Sequence, residues 1–169
     1  MRYCPDSWGV LAWMERVEPA ASRVEDVLAA GRPVMSWINL GEVFYQVYRR
    51  RSPQEAHQVV RLLRPSLDLE LPTEARVLEA ATIKASHGLA YADAFAVATA
   101  AANGAVLLTG DPEILTAGGE WPVEDLRPGR DLQGTPRGQL HPPTGGRSQQ
   151  TVEPLPRAAG GPTIPQKDY

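Results

Sequence analysis

The sequence has little of what several common kinds of functional site require. It contains one cysteine, Cys4, and three histidines in 169 residues, which excludes an internal disulfide framework and a zinc site built from cysteine and histidine. The patterns G-x-G-x-x-G, G-x-x-x-x-G-K-[ST], G-x-S-x-G and H-E-x-x-H do not occur. Their absence removes support for nucleotide-binding folds and for the more common hydrolases.

Long hydrophobic runs are also missing. The longest apolar stretch without a charge, residues 94–108, is mostly alanine and is interrupted by Asn103 and Gly104, so it is too short and too weakly hydrophobic to span a bilayer. Asp6 interrupts the apolar start that a signal peptide would need. We therefore expect a soluble, cytoplasmic protein with no membrane partner. The formal charge of −3 argues against a protein that holds nucleic acid by charge alone.

Proline and glycine are concentrated at the C-terminal end of the chain. Residues 128–169 hold 8 of the 16 prolines and 7 of the 15 glycines, with few large apolar side chains and no helical or strand period. Such a segment does not bury enough surface to offset its ordering entropy, so we predict a disordered, inert tail. The working domain is then residues 1–127, which carry a formal charge of −5.

Short apolar runs alternate with stretches of helical period in residues 1–127. The spacing of Leu40, Val43 and Val47 predicts a helix over 40–50, and the uniformly apolar run 105–108 is typical of a strand buried on both faces. We predict strands near residues 1–4, 34–37, 67–71, 105–108 and 121–123, with helices between them. This alternation indicates an α/β fold, a three-layer α/β/α sandwich around a short-stranded, mostly parallel sheet.

Acidic residues follow or flank the predicted strands, and ligands of such sheets bind beyond the carboxyl ends of the strands. The acids concerned are Asp6, Glu42, Asp93 and Asp111. Each also has a structural explanation. Asp6 and Asp111 fit helix N-caps. Asp93 suits the positive end of a helix dipole, and Glu42 suits a solvated helix face. Their convergence at one edge of the sheet is what favours a function.

Carboxylates gathered at one edge would need a cation, because they repel one another and raise each other's pKa. Ligands that are all oxygen, without histidine or thiol, suit Mg²⁺ or Mn²⁺. Such an ion lowers the pKa of a bound water and stabilises charge on a phosphoryl oxygen. It would also make an acidic pocket attractive to a phosphodiester, so the acidic balance does not exclude RNA cleavage.

Four segments, in order, carry a resemblance to a known family: Asp6-Ser7-Trp8, I-N-L-G-E-V (38–43), Y-A-D-A-F-A-V-A-T-A (91–100) and L-L-T-G-D-P-E (107–113), with W-P-V (121–123) at the expected end. Over about residues 1–127 the chain resembles a PIN domain, and more closely the VapC-like toxin ribonucleases of bacterial and archaeal toxin–antitoxin pairs. The resemblance implies an endoribonuclease with an RNA substrate, a cognate antitoxin that occludes the site, and a homodimer.

The resemblance also implies roles for particular residues. Asp6, Glu42, Asp93 and Asp111 would be the catalytic acidic tetrad that binds Mg²⁺ or Mn²⁺ and the attacking water. Ser7 and Thr109 match small hydroxyl positions that support the site. The expected reaction is metal-dependent, in-line hydrolysis of RNA phosphodiesters that leaves 5′-phosphate and 3′-hydroxyl ends.

Pro5, immediately before Asp6, departs from the family pattern, because a proline cannot donate to a strand ladder and the aim of Asp6 is then in question. The alternative function is therefore a non-catalytic PIN scaffold that acts through a protein partner or by holding RNA. A weaker alternative is a phosphatase-type α/β fold with Asp6 as nucleophile. Trp8 stands where the D-x-D pairing of such enzymes would place the second aspartate.

Three consecutive arginines, Arg49, Arg50 and Arg51, end the predicted helix that carries Glu42. They are candidates for contact with RNA phosphates or with an acidic partner segment. Cations at a helix C-terminus are also favoured by the dipole alone, so both explanations stay open.

Overall fold

A computed structural model describes residues 1–129 of the chain, and the predicted tail beyond residue 129 lies outside the described residues. The strand β1 (Arg2–Pro5) pairs in parallel with β4 (Ala105–Thr109), which pairs in parallel with β5 (Val123–Asp125). A second parallel pair is formed by β2 (Val34–Ser36) and β3 (Asp68–Glu70). The hydrogen-bonded orders are thus β1-β4-β5 and β2-β3, and β2 lies close to β1 without a ladder between them. The predicted short-stranded parallel sheet is confirmed.

The helices within residues 1–129 follow the strands in the predicted alternation. They are α1 (Ser7–Met14), α2 (Ala20–Ala30), α3 (Trp37–Arg50), α4 (Pro53–Leu63), α5 (Glu74–His87), α6 (Tyr91–Ala102) and α7 (Pro112–Thr116), with a 3₁₀ turn at Arg64–Ser66. None of these helices combines the length and the hydrophobicity that a bilayer crossing needs.

Local sequence signals explain most helix ends. Ser52 caps α4 by accepting a hydrogen bond from the Glu55 amide, and Thr73 caps α5 through the Arg76 amide. Gly88 ends α5 at φ +70°, in the left-handed region that glycine adopts without steric cost. Serine and threonine at the first position and glycine after the last are the residue types that such helix ends favour.

Two elements, α3 and β5, differ from the sequence prediction by two residues or more, and the other strands differ by one residue at most at each end. α3 begins at Trp37 instead of residue 40, because the Ser36 hydroxyl accepts a hydrogen bond from the Ile38 amide at 3.1 Å and caps the helix there. The preceding strand therefore ends at residue 36. β5 occupies 123–125 instead of 121–123, since its register pairs Val123 with Leu107.

Helices cover both faces of the sheet, as neighbouring strand residues show. Successive side chains of a strand point to opposite faces. Leu107 packs with Phe95 and other buried residues of α6, whereas Leu108 packs with Val24 of α2 and Leu126. The Cys4 thiol is buried in the first of these clusters, and burial raises its pKa. The three-layer α/β/α sandwich predicted from the sequence is confirmed.

Candidate active site

Asp6 stands at the carboxyl end of β1 and begins α1. Its backbone amide donates to the Leu108 carbonyl at 3.1 Å, so the pairing of β1 with β4 continues through Pro5 to the aspartate. Because backbone amides alternate in direction along a strand, the donor that Pro5 lacks would have pointed away from β4. The altered strand end that Pro5 suggested is therefore not found on the β4 side.

The Asp6 carboxylate is buried, with 2% of the residue exposed, and both of its oxygens are hydrogen-bonded. Oδ1 accepts from the Gly9 amide at 2.6 Å, which makes Asp6 the N-cap of α1, and Oδ2 accepts from the Thr109 hydroxyl. Burial raises the pKa of Asp6 from 3.8 to about 7, against the lowering effect of these two bonds, and the charges of Asp93 and Asp111 raise it further. Asp6 thus combines a structural cap with a strongly perturbed acid.

Thr109 joins the ends of β1 and β4. Its buried hydroxyl donates to Asp6 and accepts a hydrogen bond from the Asp111 amide at 2.9 Å. Asp111 itself caps α7, because its Oδ1 accepts from the Glu113 amide at 2.7 Å. The structure therefore places Thr109 in direct contact with Asp6 and next to Asp111.

Asp93 lies in the first turn of α6, where it is partly buried. Burial raises its pKa from 3.8 to about 7, and the negative charges of Asp111, Glu42 and Glu113 add to that effect, while the Lys84 cation opposes it. Two aspartates on different elements, Asp6 and Asp93, therefore have pKa values raised towards neutrality.

Glu42 lies one turn into α3 from its capping end and is half-buried. Its charge acts on Asp93, and the charge of Asp93 acts in turn on Asp6. The structure thus brings all four predicted acids into one electrostatically coupled group at the carboxyl edge of the sheet. Each acid also keeps the structural explanation that the sequence offered for it, most plainly the caps at Asp6 and Asp111.

The donor set fits a hard divalent cation in its chemistry, since it consists of carboxylate and hydroxyl oxygens whose acids repel one another. In residues 1–129, however, no three acidic, histidine or cysteine side chains lie close enough together to hold a metal ion as they stand. Glu42 and Asp93 are incompletely buried. A cation would have to draw these side chains inward.

Ser7 does not contact Asp6 through its hydroxyl. The Ser7 Oγ donates to the backbone carbonyl of Asn39 at 3.1 Å and thereby links the start of α1 to the first turn of α3. Of the two hydroxyl residues predicted to support the site, Thr109 contacts an acid and Ser7 contacts the backbone of the element that carries Glu42.

Arg49, Arg50 and Arg51 lie at the far end of α3 from Glu42 and are exposed. Arg49 donates to the Tyr45 hydroxyl at 2.7 Å, Arg50 pairs with Glu15 at 3.3 Å, and Arg51 pairs with Glu55 at 3.7 Å. These contacts account for all three without a ligand, and exposed pairs of this kind add little to stability. A role in contacting RNA or a partner stays a prediction.

Two residues near the acids were not predicted from the sequence. Glu113 lies in the first turn of α7, and its charge raises the pKa of Asp93. Asn39 is 1% exposed and bonds to the first turn of α6. Glu113 lies two residues after Asp111 in the segment 107–113, so the sequence alone could have identified it as a fifth acid. Asn39 has no charge and does not continue an apolar period. In the sequence it stands out only as an amide in an otherwise apolar first helical turn.

Solved structures with the same fold include toxin–antitoxin proteins. VapBC-1 from nontypeable Haemophilus influenzae gives a TM-score of 0.57 at 21% identity, over 75% of this chain and 98% of that chain. DNA-bound VapBC from Salmonella typhimurium gives 0.60 at 18% identity, over 75% and 99%. VapC20 from Mycobacterium tuberculosis, a toxin that cleaves the sarcin-ricin loop, gives 0.57 at 17% identity, over 69% and 95%. At these identities the likeness shows the fold.

A comparison with curated proteins gives no match. A family model, by contrast, matches residues 3–119, and its description is PIN domain. The resemblance inferred from the four acid-bearing segments is confirmed by this match and by the fold, and a phosphatase-type fold is set aside. The chain belongs to the PIN domain family.

Proposed function

We propose that the chain is a Mg²⁺- or Mn²⁺-dependent endoribonuclease and the toxin of a toxin–antitoxin pair. The observation that carries the proposal is the coupled group of four acids at the carboxyl edge of the sheet, in which Asp6 and Asp93 have pKa values raised to about 7. Acids perturbed in this way at a sheet edge are typical of functional sites. Toxin–antitoxin proteins and a ribonuclease toxin among the fold relatives support the same reading.

The roles of the residues follow from their positions. Asp6, Glu42 and Asp93 would hold the cation, and Asp111 would hold a second ion or orient the attacking water. When bound, the ion supplies a water of lowered pKa and neutralises charge on the phosphoryl oxygen. Thr109 keeps one Asp6 oxygen and the Asp111 amide in place. Near pH 7 the protons on Asp6 and Asp93 must leave before their carboxylates bind a cation.

The experiment is an RNA cleavage assay with purified protein, with and without Mg²⁺ or Mn²⁺. Asp93→Asn is expected to reduce cleavage by at least about 100-fold, because catalysis by a bound ion depends on its ligands. Asp26→Asn is the matched control, since Asp26 is an exposed acid on α2, a helix that carries none of the four. Metal-independent cleavage, or equal activity of the two variants, would refute the site assignment.

The second candidate function is a non-catalytic PIN scaffold. One observation favours it: in the described part of the chain the acids are not drawn together into a metal site, and both Asp6 oxygens already accept hydrogen bonds. A scaffold would bind neither Mg²⁺ nor Mn²⁺ at millimolar concentration and would leave RNA intact in the same assay. The two functions are thus separated by one titration.

We propose an antitoxin as the protein partner, bound at an exposed apolar groove between α1 and α4. The groove is lined by Trp13, Met14, Arg16, Val59, Leu62 and Leu63, and Leu62 is 72% exposed. Apolar surface rimmed by an arginine fits a segment with apolar and acidic side chains.

Leu62→Glu is expected to weaken binding of the product of a neighbouring small reading frame. Leu78→Glu, at a 60% exposed leucine of α5, is the control. The homodimer stays a prediction.

A further inference from the structure

Asn39 is a buried amide at the junction of three elements that carry the acids. It lies in the first turn of α3, with 1% of the residue exposed. Its Nδ2 donates to the Ala92 carbonyl at 2.9 Å, and its own backbone carbonyl accepts from the Ser7 hydroxyl at 3.1 Å. Ser7 follows Asp6 and Ala92 precedes Asp93 in the chain. One residue, through its side chain and its backbone, therefore ties the neighbours of both perturbed aspartates together.

The Oδ1 atom of Asn39 is buried and has no hydrogen-bond partner. Buried polar atoms are nearly always paired, and an unpaired one calls for an explanation such as a ligand or an ordered water. Oδ1 shares its carbon with Nδ2 and therefore lies at the same junction. Within the described residues Thr99 Oγ1 is a second unpaired atom, but Thr99 lies in the latter half of α6, away from the end that carries Asp93.

A neutral amide suits this position for two reasons. The second bond to the Ala92 carbonyl comes from a donor, which a carboxylate cannot supply, and a further negative charge would add to the repulsion between the acids. The remaining amide oxygen is an acceptor that a water molecule can fill when the site takes up a cation. Groups that orient metal ligands from outside the coordination shell commonly use such bonds.

We propose that Asn39 is a positioning residue of the acid site. Its Nδ2 fixes the first turn of α6, and so the backbone of Asp93, against α3, and its Oδ1 accepts a hydrogen bond from water when a divalent cation is bound. The inference rests on the proposed function for its second part only. The first part concerns the chain without a cation and is tested separately.

The binding test is a calorimetric titration of Mn²⁺ into wild type, Asn39→Leu and Thr99→Val at pH 7. Asn39→Leu keeps the number and branching of the side-chain heavy atoms and removes both polar groups, and it is expected to weaken Mn²⁺ binding by about 10- to 100-fold. Thr99→Val removes the other unpaired atom and is expected to leave the affinity unchanged. Equal affinity of Asn39→Leu and wild type would overturn the proposal, as would equal weakening by both variants.

Amide hydrogen exchange without added metal tests the positioning itself. Asn39→Leu is expected to speed exchange at residues 94–96, in the first turns of α6, relative to residues 99–102. A uniform change along α6 would overturn this part. If Asn39→Leu does not fold, Asn39→Ala removes the same two polar groups with a smaller side chain and provides the same readouts, with the same outcomes for and against.

The two measurements separate failure of the proposal from failure of the proposed function. A wild-type chain that binds no Mn²⁺ refutes the metal-dependent function, and it refutes the role of Oδ1 with it, while exchange still decides the role of Nδ2. A wild-type chain that binds Mn²⁺ and cleaves RNA, with an Asn39→Leu variant that does both equally well, refutes the positioning role alone.

Discussion

At the scale of single residues, the site is defined by acids whose charged form the fold disfavours. Asp6 is buried at the end of β1, and Asp93 lies among the charges of Asp111, Glu42 and Glu113, so that both pKa values are raised to about 7. Both hydrogen bonds of Asp6 come from neutral donors, and the Lys84 cation only partly offsets the negative charges around Asp93. Burial of an acid without a counter-charge lowers stability and is maintained where a ligand compensates for it.

The first prediction concerns pH. Without divalent cations, the free energy of unfolding is expected to fall as the pH rises from about 4 to about 7. In this window the folded chain retains protons on Asp6 and Asp93, whereas the unfolded chain releases them near the ordinary value of 3.8. The folded state binds more protons, so its stability decreases with pH. Urea unfolding at pH 5 and pH 7 measures this, and higher stability at pH 7 would contradict it.

The second prediction concerns Asp93→Asn in the same metal-free buffer. The amide removes a charge that the burial of residue 93 and the neighbouring acids disfavour, so the variant is expected to be more stable than wild type at pH 7. The gain is about 1 kcal/mol or less, since solvent screens a partly exposed group. Asp26→Asn on α2 should change stability by no more than about 0.5 kcal/mol. A loss of stability in Asp93→Asn would show that the fold does not disfavour the charge of Asp93.

At the scale of elements, the end of β4 packs against the start of α1 through the Trp8 ring. Gly110 lies between Thr109 and Asp111, and a Cβ atom built on it would come within 2.3 Å of the Trp8 ring. Trp8 therefore lies directly against the backbone that presents Asp111. Only glycine permits this contact without a shift of the ring or of the backbone.

The third prediction uses this contact. Gly110→Ala is expected to lower the free energy of unfolding by about 1–3 kcal/mol, because the added methyl group overpacks the buried contact with Trp8. It should also reduce cleavage by moving Asp111. Gly41→Ala is the control, since a Cβ at this position of α3 meets nothing within 4 Å. That change should stabilise the chain by about 0.5–1 kcal/mol. Thermal unfolding of both variants tests this prediction. A Gly110→Ala variant as stable as the wild type would contradict the packing argument.

The elements themselves were largely predictable because their signals are local. Ser52 and Thr73 mark helix starts, Gly88 marks a helix end, and the apolar run of β4 marks a buried strand. The start of α3 was missed because Ser36 was assigned to a strand, although its side chain caps the helix. Residues at such junctions satisfy two elements at once, and periodicity alone does not separate them.

At the scale of the whole molecule, the parallel order of the strands is what brings distant acids to one edge. Asp6 and Asp111 are far apart in the chain, yet the pairing of β1 with β4 places the residues that follow both strands side by side. This convergence was predictable from the fold class. The buried amide of Asn39 was not, because its importance depends on contacts with Ser7 and Ala92 that exist only in the folded chain.

The central claim, that the four acids form a divalent cation site, is tested most directly by a calorimetric titration of Mn²⁺ at pH 7 in two buffers of different ionisation enthalpy. We expect binding at millimolar concentration or below with release of protons, because Asp6 and Asp93 are partly protonated at this pH. Asp93→Asn should bind more weakly and release fewer protons than wild type. A wild-type chain that shows no heat of binding at millimolar Mn²⁺, or binding without proton release, would contradict the account.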